Sequence, residues 1–214
     1  GDNGNGELFS IYVIHGFNES ADAKDDGRLN FEELNEYLRE AGFTESIERK
    51  NPKRPLYTYT KELRIRGGQR VQVEVKHLLV DTDLESRGTT FAKFFKEAVY
   101  SADVIVYGGH SGLGANLDIP SLEEKAGKFK FNSKKRQIFY FDSCSSYSYY
   151  LESFAAEKTK SKIDVITNGL SSYFETSQSV LEGLFESLLT ERSTDLKWMS
   201  VLRAMEEPLD GGSY

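Results

Sequence analysis

Two residue types able to do nucleophilic chemistry stand at matching places in the chain. Asp103-Val-Ile-Val-Tyr-Gly-Gly-His110 is an apolar block that passes through glycines to a histidine. Gln137-Ile-Phe-Tyr-Phe-Asp142-Ser-Cys144 repeats the plan and ends near the only cysteine of the chain. A thiol attacks as its thiolate, and with an ordinary pKa of about 8.5 it needs help at neutral pH. A nearby imidazole can take the thiol proton and later pass it to a leaving amine. A helix starting just after Cys144 would favour the anion through its dipole. The backbone amides of Cys144, Ser111 and Gly112 could hold an oxyanion. The chemistry that this set of groups can do is acyl transfer.

For His110 and Cys144 to meet, both blocks must be neighbouring parallel strands. Ligands of open α/β sheets collect outside the carboxyl ends of such strands. The rest of the sequence supports that sheet. Leu8–Gly16 is a near-continuous apolar run, as expected for a strand covered on both faces, and Ile163, Val165 and Ile166 mark another. Helical spacing predicts helices over 31–41, from Thr89 or Thr90 onward, and over 145–158, 177–189 and 194–205. Two alternating runs around Gly67-Gly68 predict a β-hairpin over 57–76. Residues 44–55 and 113–135 read as loops. The second is rich in lysine (Lys125, Lys128, Lys130, Lys134 and Lys135, then Arg136) and is a candidate self-cleavage segment. Alternation of strands and helices predicts an α/β protein with a mainly parallel sheet and helices on both faces. A single domain is expected over 8–214, after a flexible leader over 1–7 that is compatible with a targeting segment trimmed away upstream.

Composition narrows the function classes. With 27 basic and 34 acidic residues the net charge is −7, which leaves no phosphate-neutralising excess and argues against a nucleic-acid partner. It favours cationic partners. No apolar run reaches the roughly 18–20 residues of a membrane span. One cysteine excludes an internal disulfide framework and leaves the compartment open, with a secreted or periplasmic location favoured over the cytoplasm. No cofactor is expected. Asp22–Glu33 can be laid on the calcium-loop template, with Asp22, Asp26, Gly27 and Glu33 in register. Lys24 occupies a ligand position, so no metal is expected there, and the alternative is an acidic loop with Asp26 or Asn30 capping the next helix. His15 and His77 read as structural.

An apolar strand with Gly109-His110, followed by an apolar strand with Asp142-Ser143-Cys144, resembles the caspase-like cysteine peptidases (clan CD), nearest in motif to the metacaspase, clostripain and gingipain branches. The resemblance rests on two short motifs and on sheet order over about residues 8–170. It implies a caspase-like three-layer sandwich and an endopeptidase with a His110–Cys144 dyad. It also implies that Asp142, two before the cysteine, lines the pocket for a substrate Arg or Lys; capping of the following helix is the alternative role. Two departures from the family pattern are Ser111 directly after the histidine and Ser145-Ser146 after the cysteine, where glycines are usual. Two other functions compete. One is a catalytically inactive binding or regulatory module of the same fold. The other is a serine hydrolase, since Gly109-His-Ser111-Gly-Leu113 nearly spells G-x-S-x-G, but no histidine follows His110.

Overall fold

The computed structural model describes residues 8–19, 24–64, 69–83, 88–189 and 197–210. One seven-stranded sheet carries the fold, in the order β2-β3-β4-β1-β5-β6-β7. Its strands are β1 (Leu8–Gly16), β2 (Thr44–Arg49), β3 (Leu56–Arg64), β4 (Arg70–Val80), β5 (Val104–Gly108), β6 (Gln137–Asp142) and β7 (Ile163–Thr167). β1 pairs parallel with β4 on one side and β5 on the other, and β5, β6 and β7 continue in parallel. Only β3 runs against its neighbours.

Side chains alternate across a strand, so a strand buried on both faces feeds two cores. In β1, Ile11 and Val13 enter one core while Tyr12 and Ile14 enter the other. β5 does the same with Val104 and Val106 against Ile105 and Tyr107. The first core is closed by α1 (Asp26–Glu40), α5 (Phe174–Leu189) and α6 (Trp198–Asp210). The second is closed by α2 (Thr89–Ser101), α3 (Ile119–Ala126) and α4 (Ser146–Ala156), with Phe91, Phe95, Phe139, Phe141 and Phe154 packed ring on ring. The expected three layers, with helices on both faces of a mostly parallel sheet, are present.

Several local expectations are corrected. Residues 44–49 form edge strand β2, not loop, because Tyr59 Oη donates to Glu45 and Thr58 to Glu48 across the pair. Their polarity is that of an exposed edge. β4 continues unbroken through His77–Val80 and is central to the sheet. Residues 113–135 are not one long loop. They hold a 3-10 turn (Gly112–Leu117) and helix α3, whose N-cap Asp118 accepts from Ser121 N. Lys135 in this segment is only 3% exposed, which removes it from the cleavable lysines. α2 begins after Gly88 without a side-chain cap, so neither Thr89 nor Thr90 caps it.

The calcium-loop register also fails. Asp26, Gly27 and Glu33 are helical residues of α1, and a helix cannot wrap its carboxylates round one ion as that loop does. The cap is Asp25, not Asp26 or Asn30. Asp22 lies outside the described residues. Gly27 has a different use: a side chain there would collide with the Gly16 carbonyl, so α1 docks directly against the end of β1.

Candidate active site

The register of β5 and β6 sets the site. Gly108 lies opposite Asp142, and Gly109 N continues the pairing to Asp142 O at 3.1 Å. His110 and Cys144 each follow two residues beyond that matched pair. Neighbouring strands lie about 4.8 Å apart, so two side chains leaving adjacent strand ends at the same level share one space. They line one cleft of about 200 Å³, together with Asn18, Asp26, Gly109, Asp142 and the segment Ser172–Glu175. The cleft sits beyond the carboxyl ends of β1, β5 and β6, where the chain order reverses about β1.

His110 is the only exposed histidine of the three; His15 and His77 are buried. Its Nε2 lies 2.8 Å from the carbonyl oxygen of Asn18. A carbonyl only accepts, so Nε2 carries the proton and donates. In the neutral ring Nδ1 is then the nitrogen able to take a proton. Phe174 packs edge-on against the imidazole with ring centres 5.5 Å apart. The turn behind His110 is tied down from three sides. Tyr107 Oη and Asn116 Nδ2 donate to the His110 carbonyl at 2.6 and 3.0 Å, and Tyr150 Oη donates to the Ser111 carbonyl at 2.7 Å.

Cys144 is half-buried, and its thiol donates weakly to the Ser172 carbonyl at 3.7 Å. The next residue, Ser145, holds a left-handed backbone at φ 51°, which is uncommon outside glycine. Leu113, beyond His110, does the same at φ 54°. Such strained positions concentrate at functional sites. Helix α4 starts at Ser146, so Cys144 precedes its first turn rather than lying in it. Carbonyls of the segment after β7 cover that end: Ser145 N donates to Leu170 O at 2.8 Å and Tyr147 N to Asn168 O at 3.1 Å.

The same segment holds Asp142. Its Oδ1 accepts from Asn168 Nδ2 at 2.9 Å and from the Ser172 hydroxyl. α4 has Ser145 at its cap position, without a side-chain bond, so the capping role considered for Asp142 is not what these contacts show. Asp142 is 7% exposed, and that remnant faces both the cleft and an adjoining cavity of about 450 Å³. Tyr140, Leu170, Tyr173, Val180 and Leu209 form that cavity's apolar wall. Burial, together with the Asp142 carboxylate beside it, pushes the Tyr140 phenol well above its usual pKa.

Ser111 and Gly112 do not line the cleft. Ser111 is buried, and Gly112 turns the chain at φ +56°, where a side chain would strike Asn116. A nucleophilic Ser111 would need a histidine, yet His15 and His77 bond to each other at 2.8 Å inside the core, with Asn35 completing the row at 2.7 Å from His77. Sequence reasoning missed Asn18, Asn168, Ser172 and Phe174. The polar end of β7, Thr167-Asn168-Gly169, was a usable signal, since a third parallel strand end next to Cys144 should feed the same crevice. Asn18 acts through its backbone, which leaves no trace in residue type.

No family model matches the chain, and no curated protein matches it. Among solved structures it is similar to a secreted C11 cysteine protease from Bacteroides thetaiotaomicron, "iotapain", at 9% identity and a TM-score of 0.45, over 94% of this chain and 62% of that one. The chain therefore spans less than two thirds of that protein's length.

Proposed function

We propose that the chain is a cysteine endopeptidase that cleaves proteins or peptides after Arg or Lys. The observation that carries this reading is the matched exit of His110 and Cys144 from two paired parallel strands into one cleft. In the proposed reaction, His110 Nδ1 takes the Cys144 proton and the thiolate adds to the scissile carbonyl carbon. The Cys144 backbone N–H is the oxyanion donor in this reaction; Ser111 and Gly112, the donors expected from sequence, lie outside the cleft lining. The imidazolium then gives its proton to the leaving amine, and a thioester remains on Cys144. Water, deprotonated by the same imidazole, releases the acid and restores the thiol.

Asp142 supports the choice of a basic residue before the scissile bond. A carboxylate held by Asn168 and Ser172 at the wall of a cavity suits a guanidinium or ammonium. A library of fluorogenic peptides scanned at the residue before the scissile bond tests this directly. Turnover of Arg and Lys members, lost in Cys144→Ala with unchanged circular dichroism, is expected. Equal turnover in that variant sinks the reading. Iodoacetamide labelling near pH 6.5 separates a peptidase from an inactive module, because only an activated thiol reacts quickly there.

A further inference from the structure

Asp25 holds more of the site together than a helix cap needs to. Asp25 is 6% exposed, and among the described residues its carboxylate accepts three backbone N–H groups. Oδ1 takes Arg28 N at 3.2 Å, which is the cap of α1. The same oxygen takes Asn18 N at 2.9 Å, and Oδ2 takes Glu19 N at 2.8 Å. The Asn18 side chain is fixed separately, with Nδ2 donating to Asp26 Oδ2 at 2.9 Å. Asn18 is the residue whose carbonyl receives His110 Nε2. α1 itself cannot slide, because Gly27 touches the end of β1 and Leu34 and Leu38 are fully buried.

From this chain of contacts we infer that Asp25 is a positioning residue: through Asn18 and Glu19 it aims one backbone carbonyl at His110 and so fixes the tautomer in which Nδ1 is the base. The kinetic part of this inference rests on the peptidase reading; the tautomer part does not. A helix cap alone needs one acceptor oxygen for one N–H. Two further bonds to the turn after β1 have no use in capping. They stop that turn from rotating its carbonyl away from the imidazole. A ring released from that carbonyl can exchange its proton between the two nitrogens, and a base misplaced by about 1 Å costs on the order of a hundredfold in rate.

The test uses Asp25→Ser in the full chain. Serine caps a helix about as well as aspartate, but a single hydroxyl on a shorter arm cannot hold the three N–H groups. The first readout is the imidazole nitrogen NMR spectrum, which is tractable with only three histidines in the chain. Wild type should show His110 as the Nε2–H tautomer. Asp25→Ser should show mixed tautomers for His110, with His15 and His77 unchanged, and kcat on basic reporters lowered about tenfold to a hundredfold at unchanged KM. A folded Asp25→Ser protein with wild-type His110 signals overturns the inference, whatever its melting temperature. Should Asp25→Ser not fold, Asp25→Asn is read the same way; it keeps the shape and one acceptor oxygen but sets an NH2 group against the backbone. If no peptide is ever cleaved, the spectra still decide the role of Asp25.

Discussion

The two ends of β5 and β6 carry polar groups of similar kinds and treat them in opposite ways. At the amino end, Asp103 and Lys135 form an ion pair at 3.2 Å with both side chains almost fully buried. Ser10 N and Oγ donate to the same carboxylate oxygen, Lys135 also donates to Ser101 O, and Gln137 ties Val99 and Ala102. Lys158 closes the network on the Lys135 carbonyl at 2.7 Å; burial, aided by the neighbouring lysines, lowers its pKa to about 8. At the carboxyl end, His110 is open to solvent, Cys144 is half-buried, and Asp142 keeps a face on a cavity. One end spends its polar groups on each other and so fixes the strands. The other leaves them turned toward a cleft, over backbone held in uncommon conformations at Leu113 and Ser145. A polar group is available for chemistry when part of it still faces a cleft.

This contrast can be broken by substitution at either end. The largest effect on activity is expected from Cys144→Ala, which should lower turnover of Arg and Lys reporters by about 10³-fold or more while leaving the melting temperature nearly unchanged. Asp103→Ala should do the reverse. It strands the Lys135 charge in the interior and should cost about 3–5 kcal/mol, seen as a lower denaturation midpoint, with normal kcat in whatever fraction stays folded. A loss of activity without a loss of stability in Asp103→Ala would show that the two ends are not separate in function.

A pH effect of the next size belongs to neither end but to the buried histidine row between β1 and β4. Burial lowers the His15 pKa from 6.5 to about 4, and burial beside His15 pushes His77 down as well. The unfolded chain binds protons below pH 6.5 that the folded chain refuses until about pH 4. Stability is therefore full above pH 6.5 and should fall toward pH 4, by on the order of 3 kcal/mol from His15 alone. Urea midpoints measured across that range check it, and a flat profile would contradict the burial of the pair. The smallest effect sharpens the carboxyl end. Asp142→Asn should reduce kcat/KM for Arg and Lys reporters by about tenfold to a hundredfold, the weight of a hydrogen bond to a charged partner, with less change for reporters having a neutral residue there.

Much of this arrangement was legible in the order of residues. The apolar runs of β1, β5 and β6 marked strands buried on both faces, and Gly109-His110 and Asp142-Ser-Cys144 marked their ends. Loops were read less well. The polar stretch 44–49 hid an edge strand because one of its faces meets water, and helix α3 was hidden because its eight residues lie between Gly114 and the lysine-rich stretch 128–135. Asp22–Glu33 looked like an ion-binding loop because carboxylate spacing is equally compatible with the start of a helix.

The sequence by itself determined the parallel sheet, the two strand ends and the residue types they present, because burial on both faces forces an apolar run and a reactive side chain has to be spelled out. Only the tertiary structure decided the partners of those side chains. The Asn18 carbonyl behind His110, the Asn168 and Ser172 groups on Asp142 and the reach of Asp25 across to the turn after β1 are contacts between distant segments, several made by backbone atoms that every residue possesses. Their positions follow from strand register and helix docking, which are set by the packing of the whole core and not by any local spacing.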